Sequence, residues 1–564
     1  MTNSEIVEKL EYAMSLMELM DANPFKVNAF RGVAQQIDKM TKAIRLLPDA
    51  ERDALFTKSM GQNIQQILER ESFTELDELE AQIPIGVRSM LLINGIGPKK
   101  VKVLWKEAGI ESIPALRSAC ESGQVALLKG FGAKIQETVL NGIGFLESIR
   151  GKMLMHKASD LGNSLLASLK EAGFEKIELV GDLVMMSEVV SAIEFLLPTS
   201  GFSQVQDWIL NQDKLELNLP DSSPFKLSAW HREKQIPIRF FFSNAENWQK
   251  NRYMLNTTHG HWQQAAMAGI PLYKTWVKGD YQHEKELYEK LGKAEIPIDL
   301  RIGAWEWAEN ATEKSEKLIQ YRDLKGCVHN HSIYSDGKNT LSEMAEWCIG
   351  QGWEYFGIAD HSKSAHYAQG LYEDKVEQQW TEIEKLNQNL APFKILKGIE
   401  SDILPDGSLD YSDDFLSGFD YVVASVHSGM KMDSQTATQR LIKAIENPHT
   451  TILGHCSGRI LLQRAGYPLH YQKIIDACIA NKVAIELNAH PARLDMDWQN
   501  LAHALDAGAI ISINPDAHER QEMDLMRYGT YMARKAGASR EQVLNSMTLN
   551  EILHYLNLKK GIIA

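Results

Sequence analysis

The sequence predicts a multidomain chain with an all-α front, an α+β middle and an α/β barrel at the back. Three observations carry this. At 564 residues the chain exceeds what one hydrophobic core holds together, so two to four domains are expected. Residues 1–150 read as short helices punctuated by glycine, and 151–310 mix helical and strand-like stretches. Within 311–564, short apolar runs alternate with helical stretches, and run after run closes on a His, Asp or Glu.

In the front region two turns share a pattern: Ile93-Asn94-Gly95-Ile96-Gly97-Pro98-Lys99-Lys100-Val101 and Leu128-Lys129-Gly130-Phe131-Gly132-Ala133-Lys134-Ile135. Paired glycines let a helix-to-helix turn bring backbone amides near an anion, and the next helix adds its dipole and lysines. A helix-hairpin-helix holds a DNA phosphate in this way without reading bases. The candidate DNA contacts are therefore Gly95, Gly97, Lys99, Lys100, Gly130, Gly132 and Lys134. One such turn is as readily a glycine-closed helix end with solvated lysines; two in tandem favour DNA. A third stretch, Ser59-Met60-Gly61-Gln62-Asn63-Ile64, keeps part of the pattern.

In the middle, Ala158 to Ala172 reads as helix, and the apolar runs Lys176 to Val184 and Val189 to Leu197 read as strands. No pair of carboxylates stands at alternating positions of a strand, the usual mounting of a two-metal nucleotidyl-transfer site. His259 and His261, with no carboxylate near in sequence, read as ordinary loop histidines. Asp299 to Tyr321 reads as a connecting segment with some helix.

The back region carries the main chemical signal. His329, His331, Asp336, His361, Glu400, His427, His455, Asp516 and His518 follow one after another at the ends of apolar runs such as Tyr355 to Ala359 and Tyr421 to Val426. Strand, ligand and helix, repeated, describe a barrel whose functional groups converge on the rim at the strands' C-terminal ends. Imidazole and carboxylate donors without thiolate suit Zn²⁺ or Mn²⁺ alike. A lone His after a strand is more often structural, which is the reading for His366, His449, His470, His490 and His503; Glu486 and Asn488 are expected to line the rim.

Composition narrows the class. A net charge of −14 excludes broad electrostatic wrapping of nucleic acid and leaves DNA binding to defined loops. Five scattered cysteines without a CxxC pair exclude a thiolate zinc site and a disulfide framework. No apolar run approaches the ~18 residues of a membrane span, and the N-terminus has no signal-type apolar core, so a cytoplasmic protein without a membrane partner is expected.

The combination of motifs resembles the bacterial family X DNA polymerases with a C-terminal polymerase-and-histidinol-phosphatase (PHP) domain. Asn23-Pro24-Phe25-Lys26-Val27-Asn28-Ala29-Phe30-Arg31 is similar to the family's opening stretch, and the glycine turns stand where its DNA-binding hairpins do. Val328-His329-Asn330-His331, Tyr334-Ser335-Asp336-Gly337 and Ala359-Asp360-His361-Ser362 are similar to its PHP motifs, and Tyr528-Gly529 and Val543-Leu544-Asn545 to its ending. The resemblance implies a nucleotidyltransferase-like palm and thumb over 151–310 and a distorted (β/α)7 PHP barrel over 311–564. It also implies three divalent ions per chain, Mn²⁺ or Zn²⁺: one on His329, His331, Glu400 and Asp516, one on Glu400, His427 and His455, and one on Asp336, His361 and His518. Such ions supply a nucleophilic water and neutralise phosphate oxygens. Asp360 is expected to orient a ligand ring, and Arg459 and Lys363 are expected at the phosphate.

The middle departs from the family. Where members carry a Gly-Ser and two arginines this chain reads Gly181-Asp182 with Val184 and Met185, where they carry their metal carboxylates it reads Ala192-Ile193-Glu194 and Pro237-Ile238-Arg239, and a nucleotide-contacting T-G-S-K segment is replaced by Thr257-Thr258-His259-Gly260. The expectation is a metal-dependent DNA phosphodiesterase, a 3′–5′ exonuclease acting at DNA ends, gaps or abasic sites in repair, on an inactive polymerase scaffold. The alternatives are a small-molecule phosphomonoesterase of the histidinol-phosphatase type and a non-catalytic DNA-binding scaffold. Oligomeric state stays open.

Overall fold

The computed structural model describes residues 3–40, 42–93 and 95–561; Asn94, in the first glycine turn, lies outside the described residues. The chain separates into two compact units, Met1–Arg150 and Gly151–Ala564.

The first unit is helical around a core that includes Leu10, Phe30, Ile64, Phe73, Leu116 and Val139. Asn23 caps the helix Pro24–Asp38 by accepting a hydrogen bond from Phe25 N, so the Asn-Pro opening is a helix start. The first glycine turn leads from helix Ile85–Met90 through Gly95, at φ +94°, to Gly97, which caps Pro98–Lys102. In the second, Gly130 and Gly132, at φ +81° and +143°, feed the helix Ala133–Ile149. These φ values lie where a side chain is strained, which explains the glycines. Lys99 and Lys134 are exposed beside the turns. The third stretch is not a turn: Ser59 to Ile64 lie inside the helix Lys58–Arg70, with Met60 and Ile64 buried.

The second unit holds two main sheets. In the first, β1 (Glu178–Val180), β2 (Ile193–Pro198), β3 (Leu215–Leu217), β4 (Lys226–His231) and β5 (Ile236–Ser243) lie in the order β1-β2-β5-β4-β3. Only β2 and β5 run parallel. The helix Met155–Glu171 packs on it, and Phe195 stacks on Phe240 with ring centroids 5.4 Å apart. Residues 181–183 form a 3-10 turn where the sequence suggested a continuous strand, because Gly181 takes a positive φ there.

The second sheet is the barrel: β6 (Gly326–Cys327), β7 (Tyr355–Ile358), β8 (Lys394–Asp402), β9 (Tyr421–Ser425), β10 (Ile452–Leu453), β11 (Ala484–Asn488) and β12 (Ile511–Asn514), parallel and in sequential order. Beyond β6 and β12, Asn330 pairs with Ala517 in parallel register and His331 N donates to Ala517 O at 2.8 Å, which joins the first strand to the last. The strands are buried on both faces, as parallel strands covered by helices must be. Helix Leu341–Gly350 starts with a capping box in which Thr340 and Glu343 satisfy each other's backbone amides. Against the first sheet the barrel presents Lys535, whose buried Nζ donates to Met186 O at 2.7 Å, and Trp305 Nε1 reaches Lys535 O at 2.9 Å. Among the described residues no helix is long and apolar enough to cross a membrane.

Candidate metal centre

His329 and His331 leave the end of β6 with alternate residues on one face, so both rings turn toward the barrel axis. Glu400 sits inside β8 rather than at its end. Its Oε1 lies 3.2 Å from His329 Nε2, 3.2 Å from His427 Nε2 and 3.1 Å from His455 Nε2, and its Oε2 lies 2.8 Å from His361 Nδ1. Asp516 Oδ1 lies 3.0 Å from His331 Nε2 and 3.5 Å from His329 Nε2. Asp336 Oδ2 lies 3.7 Å from His361 Nε2, and its Oδ1 lies 3.5 Å from His518 Nε2. Donor atoms within 4.8 Å of one another form overlapping groups: His329, His331 and Asp516; His329, Glu400 and His455; His361, Glu400 and His427; His331, Asp336, His361 and His518.

The chemistry of these donors fits divalent cations. His329 Nε2, His361 Nδ1 and Glu400 Oε2 are buried and make no well-aligned hydrogen bond although imidazole and carboxylate stand 2.8–3.2 Å apart, an arrangement of lone pairs that a divalent cation would satisfy. Burial pushes Glu400 up, but the imidazoles of His427, His329 and His361 hold it well below the usual carboxylate range. Burial likewise opposes the charged forms of His427 and His518, yet Glu400 and Asp402 raise the first to about 10, and Asp336 and Asp516 raise the second to about 9. His331, buried among His518 and His361, is pushed down to about 3. Carboxylates and imidazoles thus compensate one another pairwise around Glu400.

The backbone is adapted to this convergence. Asp516 takes φ +53°, a left-handed conformation that Asp tolerates better than most residues and that often marks functional turns. Gly337 has no alternative: a Cβ there would lie 2.1 Å from His331 O. The Ser-Asp-Gly turn therefore packs directly on the His-x-His segment and brings Asp336 back to it.

A supporting shell fixes the rings. Glu486 accepts from His329 Nδ1 at 2.7 Å, His455 N at 2.7 Å and Asn514 Nδ2 at 2.9 Å, so one carboxylate orients two strand ends. Asp402 accepts from His427 Nδ1 at 2.6 Å, and Asn488 Nδ2 donates to Asp516 Oδ2 at 3.0 Å. Sequence reading put Glu486 and Asn488 on the rim but missed Asp402, although its place two residues after Glu400 on one strand puts both on the same face. It also missed Arg493, whose Nε lies 3.6 Å from Asp516 Oδ2, and Tyr367, which stands beside His361 and His427.

Three expectations are corrected. Arg459 does not reach the cluster: its Nη2 donates to Glu188 Oε1 at 2.5 Å and to Leu494 O, and its Nε donates to Arg493 O at 2.9 Å. Lys363 pairs with Glu373 at 2.7 Å and lies over the Tyr411 ring. Asp360 orients no ring; it accepts from Ser332 N and Ser332 Oγ, both at 2.7 Å, and so braces the loop between His331 and Asp336. Among the described residues, His366, His449, His470, His490 and His503 join none of the donor groups.

In the first sheet the place of the expected polymerase carboxylates is occupied by an ion pair. Glu194 on β2 lies beside Arg239 on β5, Oε1 to Nη1 at 3.1 Å, and burial pushes Glu194 up despite this partner. His261 is not a loop residue: it lies in the first turn of the helix His259–Met267, fully buried, with Nε2 on Tyr253 OH and Nδ1 on Glu306 Oε1, both at 3.0 Å. Chain folding supplies the carboxylate that sequence proximity did not.

A family model described as PHP domain matches residues 328–490, and one described as SAM-like helix-hairpin-helix tandem matches residues 87–143, which contain both glycine turns. Across 99% of its length the chain is 30% identical to the DNA polymerase/3′-5′ exonuclease PolX of Bacillus subtilis (strain 168), covering 99% of that protein. The chain belongs to the PolX family. PolX membership and the PHP match make it a metal-dependent phosphoesterase built on helix-hairpin-helix, polymerase-like and barrel parts. Over part of its length this PolX chain is also similar to shorter proteins. A probable phosphatase of Thermoanaerobacter sp. (strain X514) is 26% identical over 41% of this chain and 94% of its own length. One of Shewanella sediminis (strain HAW-EB3) is 26% identical over 39% of this chain and 88% of its own. Asp516 and His518 lie beyond the matched PHP residues, and the fold brings them to the cluster.

Proposed function

We propose that this chain is a metal-dependent DNA 3′–5′ exonuclease that works on strand ends, gaps and abasic sites in repair, with the barrel as its catalytic centre. The observation that carries this reading is the convergence of donors around Glu400 on the barrel rim, in a chain that also keeps two glycine turns. His329, His331, Glu400 and Asp516 would hold one ion, Glu400, His427 and His455 a second, and Asp336, His361 and His518 a third, with Mn²⁺ and Zn²⁺ equally suited to these donors. When bound, such ions supply Lewis acidity that makes water nucleophilic near neutral pH and neutralises phosphate oxygens.

The chain's own residues do the rest. Glu486 and Asp402 keep the Nδ1 protons of His329 and His427 on the outer side, leaving each Nε2 free for a cation. Arg493, beside Asp516, offers the remaining positive charge near a bound phosphate. Lys99, Lys100 and Lys134 with their glycine turns would grip the DNA backbone. The middle domain does not polymerise in this reading, since Glu194 is paired with Arg239, whose guanidinium also lies 3.7 Å from Asp221, so a cation side chain stands where a metal ion would be needed.

The test is degradation of 3′-recessed, gapped and abasic duplexes by the full chain with Mn²⁺, beside His331→Ala and beside a nucleotide-incorporation assay. Shortening from the 3′ end by wild type alone, with no incorporation, is expected. Intact DNA with a folded, metal-loaded protein refutes the proposal. A small-molecule phosphatase is the competing reading, favoured by the shorter relatives; it predicts that deleting residues 1–150 leaves the rate on its substrate unchanged.

A further inference from the structure

Beside the metal centre stands a side chain that the hydrolytic chemistry does not need. Tyr367 is 71% exposed, yet its ring centroid lies 6.1 Å from that of His361 and 6.4 Å from that of His427. The ring therefore stands at the mouth of the site, between the donors and solvent.

The backbone beneath it is closely packed and hydrogen-bonded. Ala365 and Ala368, on either side of Tyr367, are fully buried, and Leu371 N donates to His361 O at 2.8 Å to close the loop on the strand end. Gly370 packs so tightly that a Cβ would lie 1.9 Å from Ser362 O. Ser364 N donates to Asp410 Oδ2 at 2.6 Å, and Ser364 Oγ donates to Asp402 Oδ2 at 3.0 Å, the carboxylate that also holds His427. A tightly anchored loop thus presents one bare aromatic face over the reactive centre. An aromatic group with a fixed backbone loses little freedom when a planar partner lies on it.

We infer that Tyr367 is the stacking platform for the terminal nucleobase of the strand whose linkage the cluster cleaves. This rests on the exonuclease reading proposed above and adds what that site recognises: a π-face one sugar away from the scissile phosphate. Every base has such a face, so the contact is indifferent to sequence, as trimming of arbitrary ends requires. A phosphomonoester of a small aliphatic alcohol has nothing to place there.

The experiment compares full-length wild type, Tyr367→Phe and Tyr367→Ala on a single-stranded oligonucleotide and on the same oligonucleotide ending in an abasic tetrahydrofuran residue, with glycerol phosphate as a base-free control. For the natural end, Tyr367→Ala is expected to raise KM about 10- to 100-fold with kcat little changed, the scale of one lost base–aromatic stack, while Tyr367→Phe stays within about threefold. On the abasic end wild type and Tyr367→Ala should converge, because ring and base are removed from the same contact. A 3′-terminal 2-aminopurine should be quenched on binding wild type and not on binding Tyr367→Ala. Equal KM values for wild type and Tyr367→Ala on the natural end overturn the inference alone. So does an equal penalty on both ends with loss of bound metal, which would make the ring a prop for the imidazoles. Wild type that hydrolyses glycerol phosphate but neither oligonucleotide overturns the exonuclease reading, and this inference falls with it.

Discussion

Replacing Glu486 by Gln tests how the metal centre is built. The carboxylate accepts from His329 Nδ1 and Asn514 Nδ2 on Oε1 and from His455 N on Oε2. An amide of the same shape can accept on one side only. With its NH₂ toward His455 it faces a backbone N–H, and a buried donor goes unsatisfied at about 1–3 kcal/mol. With its NH₂ toward His329, the ring can adapt only by moving its proton to Nε2, the atom that points at Glu400 Oε1 and Asp516 Oδ1. Either way a metal donor is weakened, His455 of the second ion or His329 of the first, and removal of such a supporting carboxylate typically costs 10- to 100-fold in metal affinity, about 1.4–2.8 kcal/mol. The assay is a competition titration of Mn²⁺ and Zn²⁺ against a chromophoric chelator, with thermal melts in EDTA to verify that the apoprotein still folds. If Glu486→Gln melts like wild type and binds both metals with wild-type affinity, this account of ring orientation is refuted.

Further outcomes follow from other parts of the structure. Glu400→Gln removes the charge shared by His329, His361, His427 and His455, so nuclease turnover should fall by about 10³-fold, read as 3′-end shortening at saturating Mn²⁺. Lys535 is pushed down to about 8 by burial, so from about pH 8 to 10.5 the unfolded chain binds the extra proton and wild-type stability gains up to about 3 kcal/mol as pH rises. The Tm of Lys535→Met relative to wild type should therefore decline between pH 7 and 10; a rising difference would mean that Glu188 and Asp299 stabilise the ammonium. If Lys134 contacts a phosphate, Lys134→Glu should weaken DNA binding at every sequence and lower the slope of log affinity against log salt by about 0.9 in a filter-binding titration.

Local pattern carried much of the fold. Helix Leu341–Gly350 was readable from its apolar spacing and from Thr340 and Glu343 at its start. The donors around Glu400 were readable because each follows an apolar run too short to be anything but a buried strand. Partnerships across long separations were not. Arg459 follows His455 closely in sequence and looked like a phosphate clamp, but its guanidinium finds Glu188, 271 residues away. The partner of His261 is Glu306, 45 residues on, which turns an apparent loop histidine into a core residue. The stretch Ser59 to Ile64 mimicked a glycine turn, but its apolar residues keep helical spacing, and burial of Met60 and Ile64 outweighs the modest helix cost of Gly61.

The ties at Glu188 and Met186 give the polymerase-like layer a role that does not depend on its own chemistry. Arg459 and Lys535 belong to the barrel, yet their charges are satisfied by the turn of the polymerase-like layer, and Arg459 also holds the carbonyls of Arg493 and Leu494 near Asp516. A barrel excised at residue 311 would lose those acceptors and leave two buried cations facing water, with the strap that carries Arg493 unbraced. The layer would then act as a buttress for the hydrolytic centre whatever its own chemistry, and folding of the barrel should tolerate deletion from the N-terminus up to residue 150 but not beyond.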